Sequence, residues 1–249
     1  MEKLLKTEAI VLRAKNYNEA DQILTLFTHK AGKIAAIVKG VKKPKSRLRG
    51  GVQVFSHTNL VLYLGANLAT VTGAETINTF SLLREDLTRM SYAAYLAELI
   101  DSFTPPGEKD EEIFRLALMG LYLLSIEEPW LVARALETKI LMQTGYQPQM
   151  ESCVECGKDL TKIKGTYQFA PMLGGIICPY CNNKDGTRIE IGGEALGMIK
   201  RLQDIELTKV NRLRISLQGK QEIEELLEQQ ITHSLGKKIK SKDFLDNLA

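Results

Sequence analysis

Only three histidines serve the 249 residues, His29, His57 and His233, and none stands in a recognisable catalytic pattern. A nucleophile–histidine pair therefore has no support. Deaminases combine His-x-Glu with Pro-Cys-x-x-Cys. Here the histidines precede Lys30-Ala31, Thr58-Asn59 and Ser234-Leu235, and Ile177 stands before Cys178. A P-loop needs Gly-Lys followed by Ser or Thr. Gly32-Lys33-Ile34, Gly157-Lys158-Asp159, Gly219-Lys220-Gln221 and Gly236-Lys237-Lys238 all miss it. Aromatics are few, 6% of the chain with one Trp, which favours electrostatic, sequence-tolerant binding over base reading. No run suits a membrane span of about 20 apolar residues. Val52–Ala74 is uncharged, but Gln53, Ser56, His57, Asn59, Gly65 and Asn67 interrupt it. Met1 to Lys6 lacks the apolar segment of a secretion signal, so the expected compartment is cytoplasmic and reducing.

Cysteine is also scarce, but its placement is informative. Cys153, Cys156, Cys178 and Cys181 are the only four, arranged as two Cys-x-x-Cys pairs. Each pair can chelate one ion, and together they supply the four thiolates of a tetrahedral zinc site. The alternatives are two disulfides or four unrelated buried thiols, and a reducing compartment disfavours the first. One structural Zn2+ is the preferred reading. Four protein ligands leave no open coordination position, which argues against zinc catalysis.

The overall charge of +3 hides an asymmetry. Residues 1–80 hold 12 Lys/Arg against 5 Asp/Glu, residues 81–150 hold 6 against 11, and residues 151–249 hold 15 against 14. A basic surplus confined to the first third points to a polyanionic partner.

The same third reads as strands. Thr7–Ala14, Gln22–Thr28, Lys33–Val38, Val54–Leu64 and Leu68–Ile77 are rich in Ile, Val, Leu, Thr and Phe, with turn-forming residues between them. Five short strands suit a small closed barrel of OB type, with an SH3-like barrel as the competing form. From Leu83 the apolar spacing becomes helical, with Ser81 as the expected N-cap. Two further helices are expected near Asp110–Ser125 and Pro129–Thr144, then a cysteine module with a strand and turn over Thr166–Ile177. Helices near Gly193–Gln203 and Lys220–Leu235 follow. The expected fold class is α+β multidomain: an OB-fold nucleic-acid-binding domain over 1–79, an α-helical domain over 80–149 and 186–249, and an inserted zinc module over 150–185.

Between the third and fourth strands runs Lys39-Gly40-Val41-Lys42-Lys43-Pro44-Lys45-Ser46-Arg47-Leu48-Arg49, with six cations and no acid. Beside a barrel groove such a loop would neutralise phosphates and release counterions. A solvated loop that only aids solubility is the plainer alternative. Phe27 and Phe55 read as core, whereas Tyr17 in a polar turn is the better stacking candidate. Lys237, Lys238, Lys240 and Lys242 read as a solvated helix-end cluster.

The run Tyr17-Asn18-Glu19-Ala20-Asp21-Gln22-Ile23-Leu24-Thr25-Leu26-Phe27-Thr28, with Gly32-Lys33-Ile34, Lys39-Gly40 and Ser46-Arg47, resembles the N-terminus of the bacterial RecO family. The cysteine module, His233-Ser234-Leu235-Gly236 and Lys240 to Leu245 are similar too. The resemblance implies a non-enzymatic recombination mediator of the RecF pathway. Such a protein binds single- and double-stranded DNA through its OB-fold, anneals complementary strands, and helps RecA loading together with RecR and the single-strand-binding protein. It also implies DNA contact by Lys39, Lys42, Lys43, Lys45, Arg47 and Arg49, and a nucleoid-associated cytoplasmic location without a membrane. Arg134 is the guess for the carboxylate partner of the single-strand-binding protein's acidic tail. An RNA-binding OB and zinc protein, and a zinc-dependent nucleic-acid-modifying enzyme, are the alternatives.

Overall fold

The computed structural model describes residues 3–181 and 188–247. Residues 182–185 of the expected zinc module lie outside that range, as do 1, 2, 186, 187, 248 and 249 of the flanking expected domains. The chain forms two compact units, 1–126 with 241–249 and 127–240.

In the first unit, five strands close into a barrel: β1 (Leu4–Asn16), β2 (Gln22–Thr28), β3 (Gly32–Val38), β4 (His57–Tyr63) and β5 (Ala69–Asn78). Their order around the cylinder is β1-β2-β3-β5-β4, with β1 paired to both β2 and β4 and β3 to β5 in parallel. Alternation along the strands sends Ala9, Val11, Leu24, Leu26, Ala36, Val38, Leu60 and Leu62 inward to a dry core. The fourth strand begins at His57 rather than at Val54. Phe55 turns there with φ 67°, its N–H donating to the Val11 carbonyl at 2.7 Å, where the β1–β2 register shifts. A bulge on a distant strand thus cuts the apolar run short.

Two longer helices join the barrel in this unit, α1 (Leu87–Phe103) and α2 (Glu111–Ile126). Asp86, not Ser81, caps α1 by accepting from the Arg89 N–H at 3.1 Å. Ser81–Arg84 forms a separate 3-10 turn after Phe80, whose φ of 48° breaks the helical path. Asp110 caps α2 through the Ile113 N–H at 2.9 Å.

The second unit is built on α3 (Pro129–Gln143), a small sheet of β6 (Tyr167–Ala170), β7 (Gly175–Ile177) and β8 (Ile189–Ile191), then α4 (Gly193–Asp204) and α5 (Leu217–Leu235). α3 packs on α4 and α5. Pro129 opens α3 at its first turn, and Gly145 and Gly236 take positive φ after α3 and α5. A last short helix, α6, covers Lys240–Asp246. No helix among the described residues is long and apolar enough to cross a membrane.

Candidate nucleic-acid interface and metal centre

The basic segment follows β3 and is folded rather than trailing. Val41 is buried in the barrel core and Leu48 packs against it, so the chain is pinned at two apolar points. Lys42 N–H donates to the Ala20 carbonyl at 3.0 Å, and the Asp21 carboxylate accepts from the Gly40 N–H at 2.7 Å. Lys39, Lys42, Lys43, Lys45, Arg47 and Arg49 are all exposed. Among the described residues, no carboxylate stands within ion-pair distance of any of the six.

One of the six has a task that the sequence does not reveal. The Arg49 guanidinium donates to the carbonyls of Val41 at 3.3 Å, Lys42 at 2.6 Å and Lys43 at 3.1 Å. Five donors in a fixed fork suit Arg to this bracing of a turn, and carbonyls leave its charge uncancelled. The loop borders an open cleft of about 660 Å³, to which Lys42, Arg49 and Arg84 contribute cations. Two of the six loop cations, Lys42 and Arg49, thus line a concave surface of the barrel unit, and Lys39, Lys43, Lys45 and Arg47 do not. Tyr17 is 59% exposed, whereas Phe27, on β2, and Phe55, in the turn before β4, are both buried.

The cysteines come together. Their four Sγ atoms all lie within 4.8 Å of one another. Cys153 and Cys156 occupy a turn in which the Gly157 N–H donates to the Cys153 carbonyl at 2.8 Å, with Gly157 at φ 70°. Cys178 follows β7, and Cys181 ends a 3-10 turn whose N–H returns to the Cys178 carbonyl at 3.0 Å. None of the four is joined in a disulfide in this arrangement. Sulfurs held tetrahedrally at the zinc–thiolate distance stand about 3.8 Å apart. The Cys156 and Cys178 sulfurs are 3.8 Å apart and all four lie within 4.8 Å of one another, close enough to hold a metal ion.

Electrostatics give the same fit. Burial pushes the Cys153 thiol up, but backbone N–H donors, first among them that of Cys178 at 3.3 Å, outweigh it and bring it to about 7. Hydrogen bonding with Cys156, followed by burial, pushes Cys181 up to about 12. Cys181 therefore resists ionising beside Cys153, and a divalent cation at the centre of the cage would relieve that repulsion.

Arg134 does not serve as the partner guessed for an external carboxylate. It is 1% exposed, 2.6 Å from the Glu137 carboxylate and 3.4 Å from that of Glu224. A ligand's acid would have to displace these internal acids.

Comparison with known proteins gives concordant matches. The family model "Recombination protein O N terminal" matches residues 1–80, and "Recombination protein O C terminal" matches residues 84–243. A "DNA repair protein RecO" of Symbiobacterium thermophilum is 35% identical over 247 residues, 98% of each chain. One of Pelotomaculum thermopropionicum is 39% identical over 244 residues, 98% of this chain and 94% of the relative. One of Moorella thermoacetica is 35% identical over 245 residues, 98% of this chain and 91% of the relative.

Proposed function

Since the chain belongs to the RecO family, a family of DNA repair and recombination, we propose that it is a DNA-binding recombination mediator that works without catalysis. It holds single- and double-stranded DNA by the phosphates, anneals complementary strands, and helps RecA loading with RecR and the single-strand-binding protein. One observation carries this reading: six exposed cations on a braced loop, without an acid partner among the described residues, two of them lining a concave barrel surface.

The physics of annealing needs no nucleotide. Two strands repel each other through their phosphates, and a cationic loop that condenses on one lowers the cost of bringing up the second. Lys39, Lys42, Lys43, Lys45 and Arg47 make the phosphate contacts, and Arg49 adds charge while holding the turn that presents them. The four cysteines bind one Zn2+, which would fix the two cysteine turns to each other and support the fold. The protein acts in the cytoplasm, on the nucleoid.

The test is a binding and strand-annealing assay at several ionic strengths, comparing wild type with the six cations neutralised. Contact with four to six phosphates of a single strand predicts log K falling with log salt at a slope of roughly −3 to −4. Neutralisation should flatten that slope and abolish annealing, while DNA of any sequence binds the wild type alike. Affinity that is indifferent to salt would overturn the reading. A strong preference for RNA over a matched DNA strand would favour an RNA-binding protein instead.

A further inference from the structure

Phosphate binding leaves unused the floor of the cleft beside the basic loop. The cleft is lined by apolar residues, among them Val54, Met90 and the nearly buried Val52, together with Gln22, Gln53 and the cations. No carboxylate lines it. The Gln22 side-chain amide donates to the Asn16 side chain at 3.2 Å, which leaves its oxygen to accept, and Gln53 is exposed.

Two strained corners stand beside this cleft. Among the described residues, Phe55 at φ 67° and Phe80 at φ 48° are the non-glycine residues at positive φ. Arg84 ties the two corners together. Its guanidinium donates to the Val54 carbonyl at 2.7 Å and to the Thr79 carbonyl, the residues just before each phenylalanine. Backbone strain of this kind persists only where the surroundings fix it, and it gathers at sites of function. Val54 and Arg84 line the cleft together with Met90 from the first turn of α1, all within one compact unit.

We propose that this hollow receives an unstacked base of single-stranded DNA whose phosphates lie on the basic loop. The inference rests on the phosphate-binding reading above and adds a division of labour to it. The loop supplies affinity for any DNA, and the cleft supplies a preference for single strands. Bases in a duplex are stacked and paired, so they cannot enter. A free base can lay its faces on valine and methionine and offer its edge to the amides, which both donate and accept. Since an amide can turn to suit any edge, no particular base is selected. Lys42, Arg49 and Arg84 would neutralise the phosphates on either side of the inserted nucleotide.

The experiment uses the full chain and three probes at one salt concentration: a single strand, an abasic single strand with the same number of phosphates, and a duplex. Wild type should bind the abasic strand roughly five- to tenfold more weakly than the base-bearing one, the worth of one or two hydrogen bonds with some apolar contact. Gln53→Ala, on an exposed side chain, and Met90→Trp, which fills the hollow, should bring the base-bearing strand toward the abasic level. Duplex affinity should stay put in both, and the melting temperature of Gln53→Ala should match wild type. Equal binding of the two single strands by wild type, or variants that weaken single strand and duplex alike, would overturn the cleft while leaving the loop intact. Failure to bind all three probes would bring down the phosphate reading and the cleft with it.

Discussion

The carbonyl oxygen of Glu108 lies 1.8 Å from where a β-carbon on Gly32 would stand. Gly32, at φ 61°, opens β3, and the loop between α1 and α2 runs directly across it. Lys33 bridges to Pro106 as a short parallel pair, its carbonyl accepts from the Gly107 N–H at 2.9 Å, and its ammonium is 3.0 Å from the Asp101 carboxylate. The α1–α2 loop is thereby sewn to the β2–β3 turn.

Gly32→Ala should accordingly be costly. Positive φ alone costs an alanine about 1–2 kcal/mol, and here backbone rather than a flexible side chain occupies the added carbon's place. A total above about 2 kcal/mol is expected, measured by denaturant unfolding. Gly50→Ala, which meets nothing within 4 Å and has no positive φ, should leave that transition nearly unchanged.

Arg47 and Arg49 should separate binding from loop order. Arg47→Ala should weaken DNA binding and reduce the single-strand salt slope by about 0.7, as loss of one phosphate contact does, with an unaltered melting curve. Arg49→Ala should lose a charge and also free the carbonyls of Val41, Lys42 and Lys43. Limited proteolysis of the loop should therefore speed up. Arg49→Lys should restore the salt slope but not the resistance to protease, because one ammonium cannot reproduce the fork.

Metal analysis checks the cage. Purified protein should carry about one zinc per chain, and Cys153→Ser should lose it along with melting temperature. Strong chelators should produce the same destabilisation in wild type. Retention of the metal by Cys153→Ser, with an unshifted melting curve, would remove that residue from the ligand set.

The buried Arg134–Glu137 pair should prove sensitive to removal of one partner. Glu137→Ala takes away the carboxylate 2.6 Å from the guanidinium and should cost about 3–5 kcal/mol, the usual penalty for a broken buried pair. Trp130, the only tryptophan, makes a convenient reporter. Its ring has the Arg134 guanidinium carbon 5.8 Å from its centre, and its N–H donates to Glu224 at 3.2 Å. Unfolding followed by its fluorescence should shift to lower denaturant.

What could be read in advance depended on how local each signal is. The β2 strand has the bounds that its Ile23-Leu24-Thr25-Leu26-Phe27 run suggests, and the helix opened by Pro129 ends one residue from its expected limit. The two Cys-x-x-Cys pairs meet as their spacing implies. Some misses involve partners far along the chain, and others a local cap or turn that competes with a stronger apolar pattern. Val54 and Phe55 look like strand until Val11 claims the Phe55 N–H. Leu83 fits the helical stripe, but a left-handed Phe80 and the Asp86 cap delay α1 until Leu87. β8 is only three residues long, too short for its alternation to stand out, and Ser216 caps α5 so that the helix starts at Leu217 rather than Lys220. Arg49 reads as one more cation because its carbonyl partners exist only once the loop has turned. Glu137, three residues on, is a partner for Arg134 visible in the sequence, whereas nothing local announces Glu224 or the burial of the pair.

The barrel's hoops are unequal. Four of its ladders hold seven residue pairs each, whereas β3 and β5 meet through only Ala36 with Ala69 and Ile37 with Thr70. The cylinder is riveted along most of its circumference and merely buttoned along one line. The cationic segment departs from the strand on that line, directly after Val38. Whatever pulls on it loads the weakest fastening first, so amide exchange should be fastest there, and a tethered polymer would tug at a hinge rather than a wall.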